Sequence, residues 1–262
     1  GIASEFALCR SIRDAKALFP LVAGHTESFL PDVAFASGTN LSKLRIGVVS
    51  GDLTKYPVTE ERQQVVADAA RFLETQGHTI RMIDADALSS PVDASTTAFD
   101  RIISANLAYA IDAFSIDEAK LERLTQAVAS RGRKMSAVEL YNAMNGGVTT
   151  AYQLWQIFHD IDVLITPMLA RGPQPIGSYA MDHDDVDAHW HKMNAFAPYA
   201  ALANISGFPA LSMPFGEDTN GMPLAIQLIA PMGADNLLLN LGELMEEDHR
   251  WQHKFPVAGL NT

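Results

Sequence analysis

A single cysteine, Cys9, stands among 262 residues, so no internal disulfide can form and no cluster of thiols is available for zinc or redox chemistry. That usage points to a reducing, cytoplasmic setting, and the thiol itself is expected to be a small core residue rather than a nucleophile. Basic residues are scarce. Nineteen Lys and Arg against 31 Asp and Glu leave a net charge of −12, which repels phosphate backbones and anionic headgroups and argues against a nucleic-acid partner. Long apolar runs are missing too: stretches such as residues 224–231 fall far short of the roughly 20 residues that a membrane helix needs, so no membrane partner is expected. The first residues contain neither a starting Met nor a basic segment. They are read as no signal peptide, and the missing Met as a sign that the chain was cut from something longer.

Several catalytic signatures are also absent. No Gly-x-Ser-x-Gly elbow or Ser-x-x-Lys pair occurs to activate a serine, and no Gly-x-Gly-x-x-Gly follows the first strand-like run to bind a dinucleotide. Gly146-Gly147 lacks the strand and the Lys of a phosphate loop, and is expected to be a bend or a close helix contact. Ser206-Gly207 is expected to be a turn from helix to strand. His183, His189 and His191 share a stretch with four aspartates, but their spacing matches no established ligand motif, so no metal is assigned.

What is present suits a globule. Hydrophobic residues make up 48% of the chain and charged residues 19%, enough apolar material for one core, and residues 1–262 are read as a single domain. Apolar positions at helical spacing predict a helix over 11–23 stopped by Gly24. A β-branched run at 44–49 predicts a strand, broken by Gly51. A helix over 59–76 and a strand over 78–83 complete a β-α-β unit, whose natural product is a pair of parallel strands. Helices are expected over 93–113, 117–131 and 137–158, the last interrupted or bent at Gly146-Gly147. A buried strand at 163–166 ends at Pro167, and a Pro/Gly-rich loop follows over 171–177. A polar stretch over 181–190 leads to a helix at 194–203. Runs at 211–214 and 224–229 flank an acidic turn with an Asn-Gly pair, predicting an antiparallel hairpin before a last helix over 234–247. The fold class is α/β, a mixed sheet covered by helices.

Segments taken in order resemble the C-terminal half of the amidase signature family of Ser-Ser-Lys amide hydrolases. Ser4-Glu-Phe-Ala-Leu-Cys-Arg-Ser-Ile-Arg-Asp-Ala is similar to the block just downstream of that family's nucleophile, Leu44-Arg-Ile-Gly-Val to its next strand, and Gly77-His78 to its usual Gly-His. Asp160-Ile-Asp-Val-Leu-Ile-Thr-Pro-Met-Leu-Ala and Pro173-Gln-Pro-Ile-Gly are similar to its strand and substrate-side loop. Ala203-Asn-Ile-Ser-Gly-Phe-Pro-Ala-Leu-Ser-Met-Pro and Gly221-Met-Pro-Leu-Ala-Ile-Gln-Leu-Ile are similar to its last hairpin.

The resemblance implies hydrolysis through a serine acyl-enzyme with no cofactor. It also implies that the Lys, the two Ser residues and the oxyanion donors lie upstream of the first matched block. None of this chain's own residues is then catalytic. A second chain, or a removed part of a longer precursor, is the expected partner, and this chain alone is expected to be inactive. Its contribution would be the substrate wall: Asn194, Phe196 and Tyr199 before the Asn204-Ile-Ser-Gly segment, with Tyr141, Asn142 and Asn145 as a second candidate wall. An Asn at position 194, where the resemblance implies an acidic or polar residue, can hydrogen-bond a substrate but cannot neutralise an amino group as a carboxylate would, which favours apolar or cyclic amides. Core packing for Phe196 and Tyr199, and plain surface for the α-helical trio, are the alternatives. The rival function is a non-catalytic protein that holds a small ligand, or regulates, on the same half-fold.

Overall fold

The structure is a computed structural model that describes Ile2 and residues 5–23, 41–50, 53 and 55–251. The expected stops at Gly24 and Gly51 lie outside the described residues. Among the described residues five strands form one sheet: β1 (Arg45–Ser50), β2 (Thr79–Asp84), β3 (Val163–Pro167), β4 (Ala210–Glu217) and β5 (Pro223–Ile229), in the order β2-β1-β3-β5-β4. β1 runs parallel to β2 and to β3, and β5 runs antiparallel to β3 and β4, so the sheet is mixed and the fold is α/β as expected.

Successive side chains of a strand point to opposite faces, and this alternation builds two cores. Ile46, Val48, Val163, Ile165, Ile226 and Leu228 pack on one face with α2 (Glu60–Thr75) and α8 (Asp235–Glu246). Val49, Leu164 and Ile229 pack on the other with α3 (Ser89–Ala113), α5 (Ala137–Phe158) and α7 (Ala200–Ser206). α4 (Arg123–Lys134) lies on α3 and shares a small cluster, Leu124, Val128 and Val186, with α6 (Val186–Phe196). α1 (Ile12–Val22) rests on α8, where both Glu246 carboxylate oxygens accept the Ile12 N–H at 3.0 Å. The β1 start is clasped by Asp162, which accepts from the Arg45 backbone N–H and guanidinium, each at 2.7 Å.

Four expectations shift. α3 begins four residues early, at Ser89, because Pro91 sits in its first turn, where a missing N–H leaves no bond unmade. The helix expected over 117–131 splits into a 3-10 turn, Glu118–Lys120, and α4. α5 runs unbroken through Gly146-Gly147, and the glycines serve the close contact: a Cβ at Gly147 would lie 3.1 Å from the Ile205 carbonyl oxygen of α7. The helix expected over 194–203 is instead two, α6 and α7. Pro198 has no N–H to continue a helix and forces the preceding residue out of the α region, and Ala197 sits at φ −130°, ψ 68°. Much of the polar stretch is helical, with Asp185 capping α6 through the Ala188 N–H.

Candidate functional site

β1 and β3 are parallel neighbours, and the chain leaves their C-terminal ends toward opposite faces, through α2 on one side and through α6 and α7 on the other. Such a crevice is where open α/β sheets bind ligands. The segment directly after β3 is its hub. Ala170 accepts the Thr59 N–H at the head of α2 and donates its own N–H to Phe196 at the end of α6, both at 2.8 Å, while the Met168 N–H reaches Ala225 of β5.

Of the expected wall, Asn194 is half-buried and its side chain is hydrogen-bonded to Tyr56, which is itself buried. Burial holds the Tyr56 phenol above its ordinary range, and nearby Asp93 adds to this. Tyr56 therefore remains a neutral phenol at physiological pH, and its ring sits 5.9 Å from that of His191. Phe196 is half-buried and meets the Tyr179 ring at 5.9 Å. Tyr199 is fully buried among Leu202, Phe208 and Ile229, and its carbonyl accepts from Gln227, whose amide also reaches Thr166 Oγ1 at 3.3 Å. The second trio stands elsewhere, on α5. Asn142 and Asn145 are exposed, and Tyr141 joins Val138, Met144, Val148, Tyr152 and Trp155 in an apolar stripe whose members are 46–70% exposed. Thus Asn194 and Phe196 share the crevice, while the α5 residues form a separate face.

The polar stretch carries a tilted ring pair: the His183 and His189 rings lie 5.5 Å apart at 40°, and His183 Nδ1 accepts the Asp185 N–H at 3.2 Å. Burial, then the neighbouring His183 and Lys192, lower the His189 pKa. Among the described residues no group of three His, Cys, Asp or Glu is placed to hold a metal ion, and no helix is long and apolar enough to cross a membrane.

Beside the crevice the sheet ends. Among the described residues β4 pairs only with β5, and its outer edge borders a cleft of about 1820 Å³ lined by Phe6, Phe19, Phe208, Leu211, Phe215 and Leu238 among others. α1 and the irregular segment 5–10 form the far wall. Cys9 lies on that segment and is exposed, contrary to the expectation of a core thiol, because no regular element covers it. Ser206-Gly207 is the expected turn: Gly207 takes φ 74° and Ser206 Oγ accepts the Phe208 N–H.

A family model described as Amidase matches residues 5–239. The chain belongs to the amidase family. AmiB2 of Mycobacterium tuberculosis, which carries an amidase name, is 28% identical over 261 residues, covering 98% of this chain and 54% of its own length. The 6-aminohexanoate-cyclic-dimer hydrolase of Paenarthrobacter ureafaciens is 27% identical over 283 residues, covering 98% and 56%. A solved structure of 6-aminohexanoate cyclic dimer hydrolase superposes with a TM-score of 0.81 at 22% identity, covering 92% of this chain and 54% of that one. A bacterial aryl acylamidase of the amidase signature family gives 0.73 at 19%, covering 92% and 52%; both share the fold. The chain thus spans about half the length of these amidase relatives.

One residue of the crevice escapes the sequence reading. Arg62, in the first turn of α2, is only 1% exposed, and its Nε and Nη2 are buried without an acceptor. The signal was available. Arg62 precedes Val65, Val66, Ala69 and Leu73 by three, four, seven and eleven residues, which places it on the buried stripe of an amphipathic helix.

Proposed function

We propose that this chain is the substrate-side half of an amide hydrolase acting through a serine acyl-enzyme. A nucleophilic Ser, a bridging Ser and a Lys come from an upstream segment or a second polypeptide, forming a heteromer in the latter case. The upstream Ser attacks the amide carbonyl, and the Lys–Ser pair passes the proton to the leaving nitrogen. Residues of this chain orient the acyl group. Asn194 and Phe196 line the crevice, with Tyr199 backing them from the core, while Tyr141, Asn142 and Asn145, on the separate α5 face, are proposed as a second substrate wall rather than part of the crevice. Asn194, steadied by Tyr56, presents a neutral amide, so the proposed substrates are linear or cyclic apolar amides. The single-domain organisation and the reducing, cytoplasmic setting belong to the same proposal.

The observation that carries this reading is the apolar cleft along the outer edge of β4, which has no strand partner among the described residues. An open edge and an apolar face ask for cover, and the family's other half would supply it. A fluorophosphonate probe tests the roles. Expected is no labelling of this chain alone and labelling of the catalytic polypeptide in a reconstituted complex. Labelling of a serine on this chain would refute the division of labour, and a complex that is never labelled would favour a non-catalytic binding protein.

A further inference from the structure

Arg62 takes no part in the amide chemistry proposed above, yet its burial is costly. Charged side chains are almost never fully buried unless paired, and a guanidinium brings five donors with no acceptor of its own. Glu60 and Glu61 share its helical turn, but no ion pair joins either of them to Arg62 among the described residues. The location is specific. Arg62 Nη2 lies 3.6 Å from the Cβ position of Gly172, so the guanidinium rests against the loop that leaves the C-terminal end of β3. It also sits at the head of a 16-residue helix whose N-cap, Thr59, makes no side-chain capping bond. Helix N-termini favour anions.

We infer that Arg62 anchors a carboxylate-binding site at the N-terminus of α2, beneath the loop at residues 168–177. The planar fork of a guanidinium matches a planar carboxylate bidentately. A singly charged anion fits better than a phosphate, because one cation must offset it beside Glu60 and Glu61. The site stands whether or not the chain serves an amide hydrolase, since it rests on Arg62 and the crevice alone.

Thermal unfolding of the whole chain tests it, comparing wild type, Arg62→Met and Arg62→Lys in sodium chloride against sodium formate and acetate at equal concentration and pH. Methionine keeps much of the stem and removes the unpaired charge. Arg62→Met is therefore expected to unfold at least as high as wild type in chloride. Formate and acetate are expected to raise the wild-type Tm by about 3 °C or more beyond their effect on Arg62→Met. Arg62→Lys, which loses the fork but keeps the charge, should fall between, and it holds the test open if Arg62→Met does not fold. An equal response from butyrate and hexanoate assigns the site to a small-molecule ligand. A response confined to formate and acetate assigns it to an Asp or Glu side chain of another polypeptide segment. Equal carboxylate responses in wild type and variants would overturn the inference, whatever the outcome of the fluorophosphonate experiment.

Discussion

Three helix glycines make a graded test of how the helical layers are held. At Gly132 of α4, an added Cβ would lie 2.0 Å from the Ser104 carbonyl oxygen of α3 and 2.5 Å from its carbon. Both are backbone atoms of a fully buried residue, so no rotamer change can relieve the clash and the helices must separate. At Gly147 the nearest atom, the Ile205 carbonyl oxygen, is 3.1 Å away, and at Gly146 the nearest, Ala98 Cβ, is 3.5 Å away. Replacing Gly by Ala inside a helix contributes about 0.5–1 kcal/mol from backbone entropy. Overpacking costs about 1–3 kcal/mol and more where backbone must move. The two effects predict opposite signs. Gly132→Ala should destabilise by about 2 kcal/mol net, Gly147→Ala should be near neutral, and Gly146→Ala should stabilise by about 0.5 kcal/mol or more. In urea unfolding, with a slope of about 2–3 kcal/mol/M, the Gly132→Ala midpoint should drop by roughly 1 M while that of Gly146→Ala rises by a few tenths. A Gly132→Ala protein as stable as wild type would refute the close α3–α4 approach and the reasoning drawn from it.

Two further outcomes follow from single side chains. His78 is buried with its Nδ1 accepting the Leu44 N–H at 3.2 Å, and burial lowers its pKa below the ordinary 6.5. The unfolded chain then binds the proton more readily, so stability falls as pH drops through about 6.5 toward the folded-state value, and urea midpoints at pH 7.5 and 5.5 should differ less in His78→Gln than in wild type. Cys9 is exposed, so a disulfide reagent should titrate one thiol per native chain without denaturant; protection until unfolding would show segment 5–10 packed against the molecule.

Period and punctuation made most of the fold legible. Continuous apolar runs rich in β-branched residues marked β1 and β3, the β-α-β spacing implied the parallel pairing of β1 with β2, and the Asn-Gly turn marked the β4–β5 hairpin, whose register runs from Ala210↔Ile229 to Glu217↔Pro223. Misreadings arose where a local cue had two physical outcomes. Gly146-Gly147 can break a helix or let another backbone approach it, and only the position of Ile205 decides between them. The alanines over 195–203 favour helix throughout, but Pro198 outweighs them, since a missing donor and a forbidden α conformation at Ala197 are local and absolute whereas propensity is a sum of small terms.

The candidate site was less legible, and the reason is topological. Asn194 and Phe196 could be suspected from their neighbourhood in sequence, but the crevice that gives them meaning joins residues 56–62, 168–172 and 194–196, brought together only when β1 and β3 pair in parallel and send the chain to opposite faces. Arg62 shows what such a junction hides. In sequence, Glu60-Glu61-Arg62 reads as a solvated first turn, with acidic residues where the helix dipole wants them. The helical period contradicts this, because position 62 continues the stripe of Val65, Val66, Ala69 and Leu73 into the core. A structural core would place an apolar residue there at less cost. Retaining a guanidinium on the buried stripe, beneath the loop that leaves β3 at a point where the topology favours a ligand, is the arrangement expected if the charge is completed by an anion from outside the chain.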